Sequence, residues 1–175
     1  GSIDRYLNKL TPSPNVSVVN IRSLFPRIVE EDAVRGGNVY ALPLSVDTLV
    51  MFVNRALLAQ NAIVFPPDTW IKLQEIAPKL TRKGTGGLTQ AAAAIGGSAR
   101  SVDKAGDLLG LLALQLNQQA EGDEQAALGI IKTFGSRESK AYTWNDEMPY
   151  SFDAFAGGKV AFIINYMSVL PRIAQ

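Results

Sequence analysis

The alternation of apolar and polar positions predicts a chain of mixed strands and helices. Extended strands are expected in segment 39–54, which is rich in β-branched residues and interrupted by Pro43, and in segment 159–166, which is almost wholly apolar. Segment 88–95 contains four consecutive alanines, which favour a helix, but its flanking glycines favour a short buried strand, and we expect a strand. Residues 141–145 suit a loop or an edge strand.

Helical spacing of apolar side chains marks the other segments. Helices are predicted over residues 3–10, 23–34, 55–61, 70–80, 101–117, 123–134 and 150–156. Asn54, Thr69 and Asp123 stand where a helix N-cap is expected, and Ser101 or Asp103 is expected to cap the long helix that runs to residue 117. The elements therefore alternate between α and β, without internal repeats.

Composition removes several kinds of chemistry. The chain has 175 residues, of which 47% are apolar, so it is long enough for a buried core. It contains no His and no Cys. Nucleophiles activated by His and zinc sites built from Cys or His are therefore excluded, so any catalysis would depend on carboxylates, Lys, Tyr or Ser. We expect no catalytic residues, no metal ligands and no cofactor.

Charge and hydropathy limit the partners. Lys and Arg number 17 against 16 Asp and Glu, and a net charge of +1 is too small to drive binding to nucleic acid. The longest apolar stretch, residues 108–114, is far too short to span a bilayer, so we expect no membrane insertion of this segment. The chain opens at Gly1 rather than Met, which resembles a cleaved tag and leaves room for a signal peptide or lipid anchor upstream.

Two motifs resemble catalytic signatures without fulfilling them. Residues 157–159 (GGK) resemble a phosphate loop, but Asp153 and Val160 stand where that motif needs Gly and Ser or Thr, so we interpret the glycines as a helix end. The carboxylate clusters at 30–32 and 146–147 are the remaining acid-base candidates. Adjacent helical residues point in different directions, so the first is a solvated face and an enzyme is the third-ranked hypothesis.

Four blocks of sequence stand in an informative order. Residues 25–34 are FPRIVEEDAV, 40–58 are YALPLSVDTLVMFVNRALL, 66–70 are PPDTW and 152–164 are FDAFAGGKVAFII. Their order and spacing resemble the extracellular solute-binding proteins of bacterial ABC importers, family 1, the group that contains maltose-binding protein.

The resemblance implies a type II periplasmic-binding-protein-like α/β fold, in which a central mixed sheet is flanked by helices. Two such lobes hold a ligand between them and present it to an ABC permease in the membrane. Family chains are considerably longer than this one. We therefore expect residues 1–38 to be a lead-in from the N-terminal lobe and hinge, and residues 39–175 to be most of the C-terminal lobe. The expected location is extracytoplasmic, with a lipid anchor in the full-length protein.

Candidate ligand-binding residues follow from the chemistry of sugars, which need aromatic faces and planar polar groups. Asp47 occupies the family position of a cleft-facing acid, with a strand-end or turn cap as the alternative. Trp144 and Asn145 offer a stacking ring beside an amide, with core filling as the alternative for Trp144. Tyr166 ends the last strand and is expected at the cleft mouth.

A second group of candidates lies in the loop after residue 95. Ser98, Arg100 and Ser101 correspond to a family ligand-contact segment, with helix capping and solvent exposure as the alternative. The stacking Trp of maltose-binding protein is absent here, since Ser168 stands near that place, which argues for a different ligand. The leading hypothesis is non-catalytic binding of a solute, most simply a carbohydrate. The alternative is a reduced lobe that acts as a protein interaction or structural domain.

Overall fold

The structure is a computed structural model that describes residues 7–116 and 123–173. The chain divides into two compact units, Gly1–Thr48 and Leu49–Gln175. No helix within the described ranges has the length and apolar character needed to cross a membrane.

The smaller unit is a helical pair followed by a short hairpin. It contains α1 (Val18–Leu24), α2 (Arg27–Ala33), β1 (Val34–Arg35) and β2 (Asn38–Val39), with β1 and β2 antiparallel. Pro26 stands between the helices and forces Phe25 into an extended conformation, so the single helix predicted over 23–34 is wrong. In the helix predicted over 3–10, residues 3–6 lie outside the described residues and 7–10 are not helical.

The larger unit contains a four-stranded sheet surrounded by helices. Its strands are β3 (Leu49–Val53), β4 (Arg82–Gly84), β5 (Gly87–Ala93) and β6 (Val160–Tyr166). Its helices are α3 (Arg55–Gln60), α4 (Trp70–Leu80), α5 (Ala105–Leu116), α6 (Glu124–Gly135), α7 (Ser151–Ala156) and α8 (Leu170–Ile173), with a 3-10 turn at Met167–Val169. The strand order is β3-β6-β5-β4.

Strand β6 is central because it is apolar along almost its whole length. Six of its seven residues are buried, as expected for a strand covered on both faces. It runs parallel to β5 and antiparallel to β3. The strand expected over 88–95 is confirmed as β5, which lies between β6 and β4 and whose alanines are buried in the main apolar cluster. Burial there overrides the helical preference of alanine.

The predicted helix starts divide into three that are confirmed and one that differs. Asn54, Thr69 and Asp123 each accept a hydrogen bond from a backbone N–H in the first turn of α3, α4 and α6. Helix α5 begins only at Ala105, after Lys104, whose φ is 59°. The Asp103 carboxylate, expected to cap α5, accepts side-chain hydrogen bonds from across the unit.

A close backbone approach fixes the end of β5 against α6. A Cβ on Gly96 would lie 2.3 Å from both the Gly135 Cα and the Trp144 carbonyl oxygen. No side chain fits there, and the obstacles are backbone atoms that cannot swing away. Glycine at 96 is therefore required by packing.

We expect Gly96→Ala to destabilise the protein by about 3 kcal/mol, because the added methyl must displace backbone. The matched control is Gly110→Ala, in the interior of α5, where a Cβ would meet nothing within 4 Å. That change should stabilise by roughly 0.5–1 kcal/mol through helix propensity. Urea unfolding of both variants checks the pair, and equal destabilisation would contradict the packing argument.

Candidate functional site

The candidate site lies where the two parallel strands end. The carboxyl ends of β5 and β6 point to the same edge of the sheet, which is where ligands bind in open α/β sheets. Strand β3 begins at the same edge, since Leu49 pairs with Tyr166. The loop of residues 96–104 follows β5, and the turn Met167–Val169 follows β6. Polar side chains gather at this edge.

Asp146 holds the loop after β5. Its Oδ1 accepts a hydrogen bond from the Ser98 backbone N–H at 2.7 Å and another from the Ser101 hydroxyl at 3.0 Å. These bonds from Ser98 and Ser101, with the nearby charge of Arg100, lower the pKa of the exposed Asp146 carboxyl below its ordinary value. A Cβ on Gly97 would lie 2.1 Å from the Ser101 Oγ, so the loop closes tightly around the carboxylate.

Asp103 joins the loop to β6 and α7. Its Oδ1 accepts from the Tyr150 hydroxyl at 2.9 Å, and its Oδ2 accepts from the Asn165 amide at 3.0 Å. Its own N–H donates to the Ser151 hydroxyl at 2.8 Å. Partial burial acts to raise the pKa of Asp103. The hydrogen bonds from Asn165 and Tyr150 and the charge of Lys104 together lower it by more, so the pKa of Asp103 lies below its ordinary value. The same carboxylate raises the pKa of Tyr150.

Three predicted residues remain available to a ligand at this edge. Arg100 is exposed, and its guanidinium has no hydrogen bond or ion pair within the described residues. Ser98 is exposed, and its hydroxyl oxygen accepts from the Arg100 N–H at 3.3 Å. Tyr166 is half-buried at the end of β6. The loop thus presents a positive donor beside hydroxyl groups.

The structure places other candidates in supporting positions. Ser101 is fully buried and donates to Asp146, so it orients the loop. Asn145 is half-buried, and its Oδ1 accepts from the Glu147 N–H at 3.0 Å. Asp47 is exposed in the smaller unit, directly before β3, where its Oδ1 accepts from the Thr48 N–H at 2.8 Å.

Trp144 lies in the core. Only 1% of its surface is exposed, and it packs in the main apolar cluster of the larger unit. Thr143 beside it is fully buried and accepts from the Ala93 N–H, which ties this segment to β5. A sealed ring offers no face for stacking, so the core-filling alternative describes Trp144 in this structure.

Sequence reasoning missed three residues of this cluster as site residues, namely Asp103, Asp146 and Tyr150. Tyr150 is 41% exposed, and with its hydroxyl held by Asp103 it presents a fixed aromatic ring at the start of α7. A signal was available, because Tyr150 immediately precedes α7, Asp103 stands two residues before α5, and Asp146 comes shortly after the buried segment 141–144. Their convergence needs the sheet topology.

The lowered pKa of Asp103 predicts acid-dependent stability. A carboxyl whose folded pKa lies below its ordinary value of 3.8 contributes stability above that value and loses it as pH falls through the folded pKa. Asp103→Asn should therefore cost about 2 kcal/mol at pH 7, and the difference from the unchanged protein should shrink toward pH 3. Urea unfolding at both pH values tests this. Asp107→Asn, exposed on α5, serves as control, and a constant difference across pH would refute the assignment.

Comparison with solved structures establishes the fold. The chain is similar to UgpB from Mycobacterium tuberculosis in complex with glycerophosphocholine (TM-score 0.66, 17% identity, 90% of this chain and 40% of that one). It is also similar to the GacH receptor of Streptomyces glaucescens, solved unliganded and with acarbose (0.63, 21%, 98% and 44%). The Thermus thermophilus maltotriose binding protein bound with maltotriose is similar too (0.55, 16%, 95% and 42%). The chain thus has the type II periplasmic-binding-protein-like fold, and spans less than half the length of these proteins.

No match was found among curated protein sequences. The family model described as "Bacterial extracellular solute-binding protein" matches residues 18–175, which is nearly the whole chain. The chain therefore belongs to the family of bacterial extracellular solute-binding proteins.

Proposed function

We propose that this chain supplies one jaw of a non-catalytic receptor that binds a carbohydrate for an ABC importer. The observation that carries the proposal is the cluster of polar side chains at the edge of the sheet to which the carboxyl ends of β5 and β6 point. The chain's membership of the solute-binding family supports it. Two of the three similar structures were solved with maltotriose or acarbose, which supports a carbohydrate as the ligand class.

The proposed contacts divide into residues that touch the ligand and residues that hold them. The Arg100 guanidinium and the Ser98 hydroxyl donate to ligand oxygens, while the Tyr150 ring packs against apolar C–H faces of a sugar. The further proposed contacts are Tyr166, Asn145 and, in the smaller unit, Asp47. The geometry is fixed by Asp146, Asp103 and Ser101, because the side chains of these residues form hydrogen bonds with other protein groups.

The rest of the proposal concerns the whole receptor. The residues 39–175 are proposed as the C-terminal lobe, and 1–38 as lead-in from the hinge and the other lobe. Closure of two lobes around the ligand would present the receptor to its permease. The family is extracellular, so the location is extracytoplasmic. We further propose a lipid anchor on the full-length protein.

Calorimetry on the full-length receptor tests the site with a panel of mono- and oligosaccharides and glycerophosphocholine. Arg100→Ala should weaken binding by roughly tenfold or more, since a hydrogen bond from a charged donor is lost. Tyr150→Ala should weaken it comparably, while Tyr150→Phe keeps the ring and should bind more tightly than Tyr150→Ala. Asp47→Ala tests the acidic contact in the same assay.

Arg55→Ala is the matched control. Arg55 is also an exposed arginine of the larger unit, but it opens α3 beyond the opposite end of β3. Its loss should leave the affinity unchanged. The absence of heat with every solute, together with a stable protein complex, would reject the receptor in favour of an interaction domain.

A further inference from the structure

Tyr142 is a buried phenol whose hydroxyl has no partner within the described residues. The side chain is only 9% exposed and lies in the segment between α6 and α7. Within the described residues, the Trp144 Nε1 is the one side-chain nitrogen or oxygen that has neither solvent access nor a hydrogen-bond partner. The Tyr142 hydroxyl is not such an atom, and it has no hydrogen bond within those residues. The Tyr142 hydroxyl is therefore reachable from outside, although most of its ring is buried. A reachable, unpartnered donor on a fixed ring is suited to a ligand.

A cavity lies directly in front of this residue. It has a volume of about 500 Å³, and its walls include Tyr142, Lys83, Arg137, Leu88 and Met148. A second cavity of about 350 Å³ adjoins it, because both are lined by Leu88, Met148 and Pro149. Volumes of this size are typical of small-molecule sites. The tandem arrangement has room for a solute with a polar end and an apolar body.

The charges around the cavity favour an anion. The Lys83 Nζ lies 5.8 Å from the centre of the Tyr142 ring, and no hydrogen bond or ion pair of this ammonium occurs within the described residues. Arg137 also lines the cavity and is ion-paired with Glu147. Two cations against one carboxylate leave a positive balance. Lys83 and the Tyr142 hydroxyl are thus two free donors around one space.

This cavity is separate from the candidate cleft site. It lies beside the turn between β4 and β5, at the first residues of β5, whereas the cleft site follows the last ones. Neither Ser98 nor Arg100 lines the two cavities, although Glu147 on the cavity wall follows Asp146, whose carboxylate accepts from the Ser98 N–H.

We propose that the cavity in front of Tyr142 is a second small-molecule site, which binds an organic anion with an apolar body. The oxyanion, a carboxylate or a phosphate, accepts hydrogen bonds from the Tyr142 hydroxyl and the Lys83 ammonium. The apolar part packs against Leu88 and Met148. This site is independent of the carbohydrate site and remains testable whether or not that site binds a sugar.

The three methionines of the chain allow a direct test on the full chain. Met148 lines the cavity, Met51 lies on β3, and Met167 follows β6 beside the cleft site. In protein with ¹³C-labelled methionine methyl groups, phenyl phosphate or benzoate should shift the Met148 signal saturably and leave Met167 in place. Met148→Leu assigns the signal. Benzyl alcohol, the neutral match, should bind more weakly by roughly tenfold or more.

Two variants identify the donors. Tyr142→Phe keeps the buried ring, so the fold is retained. This variant should bind phenyl phosphate and benzoate about tenfold more weakly, while its affinity for benzyl alcohol stays unchanged. Lys83→Gln should weaken them too, whereas Lys132→Gln, exposed on α6, should have no effect. The proposal is overturned if Met148 stays unmoved by both oxyanions, if only Met167 moves, or if Tyr142→Phe binds the oxyanions as the unchanged protein does.

Discussion

The parallel pairing of β5 with β6 determines where the polar chemistry of this lobe collects. Ala91 pairs with Val160 and Ala93 with Phe162, so both strands deliver the chain to one edge of the sheet. All four of these side chains are buried. A slip of one residue would turn the apolar set to the wrong face, so burial fixes the register strongly. The loop after β5 and the end of β6 are thereby brought together.

Two carboxylates convert this meeting of chain ends into a defined surface. Asp146 closes the loop after β5 on itself, and Asp103 ties that loop to β6 and to the first residue before α7. Because both carboxylates accept hydrogen bonds from protein donors, they stabilise the geometry of the site and are less available to a ligand. Arg100 and the ring of Tyr150 then stand on a fixed support. Such preorganisation lowers the entropy lost when a ligand binds.

The surfaces at the two ends of β5 differ in the side chains they present. At the carboxyl end of the parallel strands, acidic and basic groups lie beside hydroxyl groups. At the opposite end of β5, Lys83 and Tyr142 line a space whose walls are partly apolar and partly charged. One segment, residues 141–150, contributes to both ends, since it runs from Tyr142 past Asp146 to Tyr150. Its path is set by Thr143, which is bonded to β5.

Much of the fold followed from local sequence, because caps and breakers act within a few residues. Asn54, Thr69 and Asp123 marked real helix starts, and the apolar run at 159–166 marked the central strand. Pro26 was the exception, since it divides a helical pattern whose apolar spacing continues across it. The four motif blocks, in their order along the chain, also predicted the family, and the family match over residues 18–175 confirms it.

Tertiary structure alone decided which polar residues meet. The hydrogen bonds of Asp103 to Asn165 and of Asp146 to Ser101 join residues 62 and 45 positions apart, and no local pattern encodes such distances. The same holds for Trp144, whose sequence neighbours suit a binding loop as well as a core. Burial depends on what packs from elsewhere in the chain, and here Trp144 belongs to an apolar cluster that includes residues of β5, β6 and several helices. The sequence by itself therefore determined the elements and the family, while long-range packing decided which side chains remain exposed to a ligand.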